Sequence, residues 1–213
     1  MPAVSKPVPT PDDFMPILEL IRRHSIPINA YRKHLGAPQR SQCHGLVRKR
    51  SLPMSLSRQS WIYPELFREL LWFGEQFCPI PYTSIQVNYN TVSAPHKDKH
   101  NSGATWIVGL GNYTGGKLIL DPGTDDEVRL NIRHEPFLFH GSTTRHSSEP
   151  FEGERISLVY HTQVQDVFPG NHRLEDYRFS ETGKIIWLSP EGEVVLDRRR
   201  GLPHPLQKRN LTL

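Results

Sequence analysis

The sequence predicts a β-rich α+β fold, a barrel or sandwich of strands braced on one side by N-terminal helices. Three observations carry this. Two proline-led segments with helical spacing of apolar residues lie within the first 80 positions. From Pro81 onward, short apolar runs alternate with Gly, Pro and Asp turns. The 19 prolines and 15 glycines demand many turns, more than a helical bundle would use.

Residues 1–10 read as a flexible leader. In "TPDDFMPILELIRRH", Thr10 is placed to cap a helix and Pro11 takes its first position, with acids early and arginines late, as the helix dipole favours. Phe14, Ile17, Leu18 and Ile21 share one face, which predicts packing on the core. Residues 25–60 read as loop-rich and basic. "PELFRELLWFGEQF" (64–77) predicts a second helix, again opened by proline.

Strands are predicted at 84–90, 104–110, 116–121, 128–132, 137–141 and 155–162, with two shorter ones at 184–188 and 193–197. "TGG" (114–116) and "DPGTDD" (121–126) carry turn chemistry. The organisation expected is a single domain over 11–197: a helical, basic part (11–80), a strand core (81–163) and closing strands (164–197). A basic tail, 198–213, follows. At 213 residues such a chain can bury a substantial core.

No apolar run approaches the roughly 18 residues that span a bilayer, and the N-terminal stretch has no apolar signal segment. Cys43 and Cys78 form no C-x-x-C pair, which argues against a disulfide framework and favours a reducing compartment. The expectation is an intracellular monomer, nuclear or cytoplasmic rather than secreted, without a membrane partner. Charge is unevenly placed. The net +4 conceals residues 20–64, which hold nine Lys and Arg and neither Asp nor Glu, so the remainder is net acidic. A basic sector of this kind suits a polyanion, whose counterions it releases, although it also suits a plain solvated surface.

"HKDKHN" (96–101) places His96, Asp98 and Asn101 after a predicted strand. It is either a polar turn or half of a metal site. In an extended segment, residues two apart point the same way, so His-x-Asp presents an imidazole and a carboxylate together. Non-haem iron oxygenases use two histidines and one carboxylate on one face of an octahedron and leave three positions open. A second histidine is available further on, as His140 or His146 in "FLFHGSTTRHSSEPFEGERISLVYHT". Arg155 and Ser157 in the same stretch share a strand face and suit a carboxylate ligand. The bland reading makes Arg155 a surface ion-pair partner and His146 a turn residue.

With "HKDKHNSG", "LGNYTGGKL" and "HSSEPFEGERISLVYHT" in this order, the chain resembles the Fe(II)/2-oxoglutarate dioxygenases, and among them the TET/JBP branch. The resemblance covers residues 84–163, with a weaker echo in "GLVRKRS" (45–51). It implies a double-stranded β-helix core, Fe(II), 2-oxoglutarate as cosubstrate and O2. The activity implied is hydroxylation of the 5-methyl group of a pyrimidine, 5-methylcytosine or thymine, in DNA or RNA, after base flipping. His96 and Asp98 match the first two iron ligands, and His146, nine residues before Arg155, matches the third in smaller members, with His140 as the alternative. Arg155 and Ser157 match the cosubstrate-carboxylate residues, and Arg48 resembles a further cosubstrate contact. Asn101 matches a base-contacting asparagine.

The chain departs from animal TET enzymes at His161 and Gln163, which stand where those proteins have a stacking tyrosine and a histidine. It also lacks their cysteine-rich region. The basic sector and Arg198, Arg199 and Arg200 would hold phosphates. A rival on the same scaffold is a prolyl or other protein hydroxylase. Of the remaining polar and aromatic residues, His24, His34, His44, His172 and His204 read as ordinary loop or helix-end histidines, and His100 as a solvent-facing neighbour of the site. Trp61, Trp72, Trp106 and Trp187 read as core. One of Asn88 and Tyr89 is expected to line the cosubstrate pocket.

Overall fold

The computed structural model describes residues 6–24, 26–29, 39–49, 52–164, 171–189 and 192–195. Helix α1 (Pro11–Arg23) starts as the sequence predicts: the Asp13 carboxylate accepts hydrogen bonds from the Thr10 main-chain N–H and hydroxyl, both at 2.7 Å. Strands β1 (Ile28–Asn29), β2 (Gln39–Lys49) and β3 (Leu52–Leu56) and the short α2 (Arg58–Ile62) follow. Residues 39–49 and 52–56 are therefore strand, where the sequence predicts loop. Helix α3 (Pro64–Phe77) leads into β4 (Ser84–Tyr89) and β5 (Asn101–Leu110).

The short strands β6 (Tyr113–Gly115), β7 (Leu118–Leu120), β8 (Val128–Leu130), β9 (Phe137–Phe139), β10 (His146–Ser148) and β11 (Phe151–Gly153) come next. Strand β12 (Ile156–Gln163) completes the barrel. Beyond it, β13 (Tyr177–Phe179), β14 (Ile185–Ser189) and β15 (Gly192–Val195) form a separate three-stranded sheet.

The large sheet has the order β1-β2-β4-β12-β5-β9, with β3 also paired to β2; a smaller sheet has the order β10-β7-β8. The chain alternates between the two. β4 is in the large sheet, His96 bridges to β10 in the small one, β5 returns to the large, β7 and β8 are small, β9 is large, β10 small and β12 large. All the strand ladders are antiparallel. This alternation is a double-stranded β-helix, and closing the sheets on one another leaves a cavity between them.

Strand alternation gives the large sheet two different faces. Ile85 and Val87 of β4, Trp106, Val108 and Leu110 of β5, and Ile156, Leu158 and Tyr160 of β12 are buried in one cluster with Phe14, Ile17, Leu18 and Ile21 of α1 and Leu66, Leu70, Phe73 and Phe77 of α3. Each such side chain contributes about 1.5–3 kcal/mol on burial. The residues between them, Gln86, Asn88, Ile107, Ser157, Val159 and His161, line the cavity instead. Gly74 lets α3 lie close to the sheet: a Cβ there would stand 2.4 Å from the Tyr82 hydroxyl and 2.7 Å from the Tyr160 ring. The Tyr160 hydroxyl donates back to Leu70 O at 2.8 Å.

A second cluster joins Leu46, Met54 and Leu56 to Phe67, Tyr177, Ile185 and Trp187, which fastens the closing sheet to β2, β3 and α3. Trp106 and Trp187 are core, as expected, but Trp72 is 45% exposed. Among the described residues no helix is long and apolar enough to cross a membrane.

Two histidines read as ordinary loop residues have other settings. His172 stacks on Trp187, with ring centroids 4.3 Å apart, and is hydrogen-bonded to the Tyr177 hydroxyl. His44 lies within β2, fully buried and stacked on Phe67, and neither ring nitrogen meets a hydrogen-bond partner among the described residues. Burial therefore pushes its pKa down to about 3 from an ordinary 6.5. The folded pKa lies below the unfolded one, so between these values the unfolded chain binds a proton that the folded chain refuses. Stability then rises with pH across that window and is lost on acidification below about 6.5. Urea unfolding at a series of pH values should show this slope, and His44→Leu should flatten it.

Candidate metal centre

Two turns and one strand pairing assemble the site. His96 and His146 exchange main-chain hydrogen bonds, N–H of each to the carbonyl of the other at 2.9 Å, and this sets their rings side by side at 4.3 Å between centroids. Asp98 donates its main-chain N–H to Gly141 O at 2.8 Å, which holds its carboxylate opposite both rings. The His96 Nε2 lies 3.7 Å from Asp98 Oδ1, and the His146 Nε2 lies 3.6 Å from Asp98 Oδ2. One ligand atom from each of the three falls within 4.8 Å of the others, the separation at which a single ion can bind all three.

The second ring nitrogens support this use. His96 Nδ1 lies 2.8 Å from Ala94 O, and His146 Nδ1 lies 3.1 Å from Thr144 O. A carbonyl only accepts, so each Nδ1 carries its hydrogen and each Nε2 lone pair is directed at the shared point. The Phe139 ring meets His146 edge-on at 5.0 Å and fixes its plane. Two imidazoles and one carboxylate suit ferrous iron with positions left open.

The cavity, about 290 Å³, runs from this trio to Arg155. Arg155 is 3% exposed, and among the described residues no carboxylate lies within ion-pair distance of it. Its Nε donates to Gly116 O at 3.0 Å, and its guanidinium lies 5.6 Å from the Tyr113 ring centre and 5.8 Å from that of Phe151. Gly116 is required here: φ is +65°, and a Cβ would meet Arg155 Cδ and Nε at 2.8 Å. Burial lowers the Arg155 pKa, the signature of a cation that needs an anion. Beside it, Ser157 Oγ accepts from Asn88 Nδ2 at 3.1 Å, which leaves the serine hydroxyl hydrogen for a ligand.

The other sequence-derived candidates divide. Asn101, His161 and Gln163 line the same cavity. His140 is exposed and stands apart from the trio; its carbonyl accepts from Thr143 and Thr144 N–H and so opens the turn that delivers His146. Arg48 is exposed and is not part of the cavity wall; its Nη1 lies 3.4 Å from His100 Nδ1. Of Asn88 and Tyr89, Asn88 faces the cavity, whereas the Tyr89 hydroxyl lies 3.4 Å from Glu154 on the other side of the sheet. Gln86, Thr91, Ser93 and Phe139 also line the cavity and were not singled out from the sequence. The polar residues alternating with Ile85 and Val87 were the available signal for Gln86.

No family model matches the sequence, and no curated protein does. Among solved structures, NgTET1 in complex with 5mC DNA is 18% identical with a TM-score of 0.48, over 75% of this chain and 70% of that one. A 2OG-Fe(II) oxygenase family oxidoreductase from Burkholderia pseudomallei is 18% identical at 0.46, over 68% and 76%. A Pseudomonas putida prolyl-4-hydroxylase is 13% identical at 0.44, over 74% and 90%. The double-stranded β-helix thus carries a His-Asp-His trio suited to ferrous iron at one end of its cavity and a buried arginine suited to a carboxylate at the other.

Removing a true ligand should separate the two distal histidines. His146→Ala should weaken Co(II) binding by at least about 100-fold, followed by the cobalt d–d absorption, whereas His140→Ala should bind as the unaltered chain does.

Proposed function

We propose that this protein hydroxylates the 5-methyl group of a pyrimidine, 5-methylcytosine or thymine, in DNA. The observation that carries the reading is the cavity wall beside the metal trio: Asn101, His161 and Gln163 present two amides and a flat imidazole there. Two amides can read the polar edge of a base and an imidazole can lie against its face. Iron, 2-oxoglutarate and O2 would supply the oxidising power for insertion of oxygen into a methyl C–H bond.

The chain's own residues do the positioning. Arg155 and the Ser157 hydroxyl hold the distal carboxylate of the cosubstrate, and Asn88 keeps Ser157 turned to it. His96, Asp98 and His146 hold the metal. A methyl on a stacked base cannot reach this trio, which lines the cavity wall, so the nucleotide is flipped out of the duplex. Exposed Lys97 and Lys99 flank the metal motif at the mouth, and exposed Arg23, Arg40, Arg48 and Arg58 extend the basic surface for phosphates. Arg22 is not available for that task, because its guanidinium holds Glu154 at 2.5 Å. Arg32, Lys33, Arg50 and the tail arginines Arg198–Arg200 lie outside the described residues. We place this activity inside the cell and in a monomer.

A nucleoside mass-spectrometric assay tests the reading. With Fe(II), 2-oxoglutarate and ascorbate, methylated duplex DNA should yield a hydroxymethyl pyrimidine, and His96→Ala should yield none. Succinate formed without oxidised base on DNA or RNA would favour a protein hydroxylase instead. A second outcome concerns the cosubstrate. Arg155→Met removes hydrogen bonds to a charged group worth about 1.5–3 kcal/mol, so the KM for 2-oxoglutarate should rise roughly 10- to 100-fold.

A further inference from the structure

Arg155 is held at its main chain by Asn90 and at its side chain by Gly116. Its main-chain N–H donates to Asn90 Oδ1 at 2.8 Å, and its carbonyl accepts the Asn90 main-chain N–H at 2.7 Å. Its Nε bonds to Gly116 O, and Gly116 is itself pinned through its N–H to Pro150 O at 2.9 Å. Asn90 lies one step beyond Tyr89, whose register partner in β12 is Ile156. Asn90 and Arg155 therefore stand where the ladder would next exchange two main-chain bonds. One of the two is made. The other is replaced: Asn90 turns left-handed, with φ +47°, and its side-chain oxygen accepts where a main-chain carbonyl would. Asparagine tolerates that turn better than most residues that carry a Cβ. Here β4 ends, and the chain passes through Thr91 and Ser93, which line the cavity, to His96. One side chain thus ties the anion end of the cavity to the segment that leads to its metal end.

We propose that Asn90 is a positioning residue for the cosubstrate: its side-chain oxygen holds Arg155 where the guanidinium can take the distal carboxylate of a 2-oxo acid whose other end meets the metal. This rests on the cosubstrate role given to Arg155 above. Asn90 is exposed and is not part of the cavity wall, so it acts only through Arg155. The ligand is gripped at both ends, and neither end can follow a shift of the other. Such a site needs its groups held to within about 0.5 Å of the productive geometry, and a paired contact between guanidinium and carboxylate is directional as well as charged. Without the Asn90 oxygen, the Arg155 N–H loses its acceptor, and the residue just before β12 is released from β4 on one side. The metal trio has its own hold, the main-chain exchange between His96 and His146, and does not depend on this bond.

The test is calorimetric titration of the Mn(II)-loaded protein with two ligands. One is 2-oxoglutarate; the other is oxalate, which chelates the metal but has no distal carboxylate to reach Arg155. Asn90→Gly keeps the left-handed turn and deletes the acceptor. It should weaken 2-oxoglutarate about fivefold or more and leave oxalate within about twofold of the unaltered protein. Asn90→Asp keeps an oxygen for the Arg155 N–H and tolerates the same turn, so it should return 2-oxoglutarate to within about twofold. Unchanged 2-oxoglutarate affinity in Asn90→Gly overturns the inference. Equal weakening of both ligands also overturns it, since a merely structural role would loosen the whole site. So does an Asn90→Asp variant that binds 2-oxoglutarate no better than Asn90→Gly. Arg155→Met separates this from the cosubstrate reading. If that variant binds 2-oxoglutarate as the unaltered protein does, the reading falls and takes the inference with it; if it binds weakly while Asn90→Gly binds normally, the inference alone falls.

Discussion

The reciprocal pair of main-chain hydrogen bonds between His96 and His146 is the constraint on which the molecule's chemistry depends. It joins segments fifty positions apart and belongs to the small sheet, where His146 continues as β10 on β7. A backbone bond of this kind fixes two Cα positions, and the Nδ1 bonds to Ala94 O and Thr144 O then fix ring rotation. The fold itself therefore sets the geometry that a metal would need. The cost of ordering both imidazoles is met by sheet formation rather than by the ligand.

Around that pair, the large sheet separates two environments with one pleat. The face of β4, β5 and β12 toward α1 and α3 is almost wholly aliphatic and aromatic, whereas the face toward the cavity carries amides, hydroxyls, imidazole and the base of the Arg155 strand. A one-residue slip of β12 would exchange the two, placing Ser157 and His161 against α3 and Leu158 and Tyr160 in the cavity. Tyr160 guards against this through its bond to Leu70 O and its fit beneath Gly74. The core and the site are consequently secured by the same register.

The sequence disclosed the barrel strands wherever apolar residues alternated with polar ones, as in "SIQVNY", and the helices wherever proline and capping residues marked their starts. It did not disclose β2. There Ser41, Gln42 and His44 are buried polar residues, and their burial comes from the neighbouring strand β4 and from Phe67 rather than from any local apolar period. The trio was legible as residue types, but the choice between His140 and His146 depended on which one pairs with His96, a long-range fact. Arg48 illustrates the limit in the other direction. Its exposed side chain stands beside His100, while its main-chain N–H reaches Gln163, and no pattern in "LVRKRS" signals a backbone contact to a residue 115 positions away.

Strand β12 sits between β4 and β5 in the large sheet, although it is the last barrel strand in the chain. During synthesis the ribosome must therefore deliver residue 163 before the centre of the sheet can be filled. Until then β4 and β5 each present an unpaired inner edge, and the strand that carries Ser157, His161 and Gln163, with Arg155 just before it, is still absent. Such late, long-range closure belongs to slow-folding topologies, and it leaves a nascent chain with open β-edges that neighbouring chains can pair with. Catalytic competence and protection from aggregation would then arrive together, in one closing step.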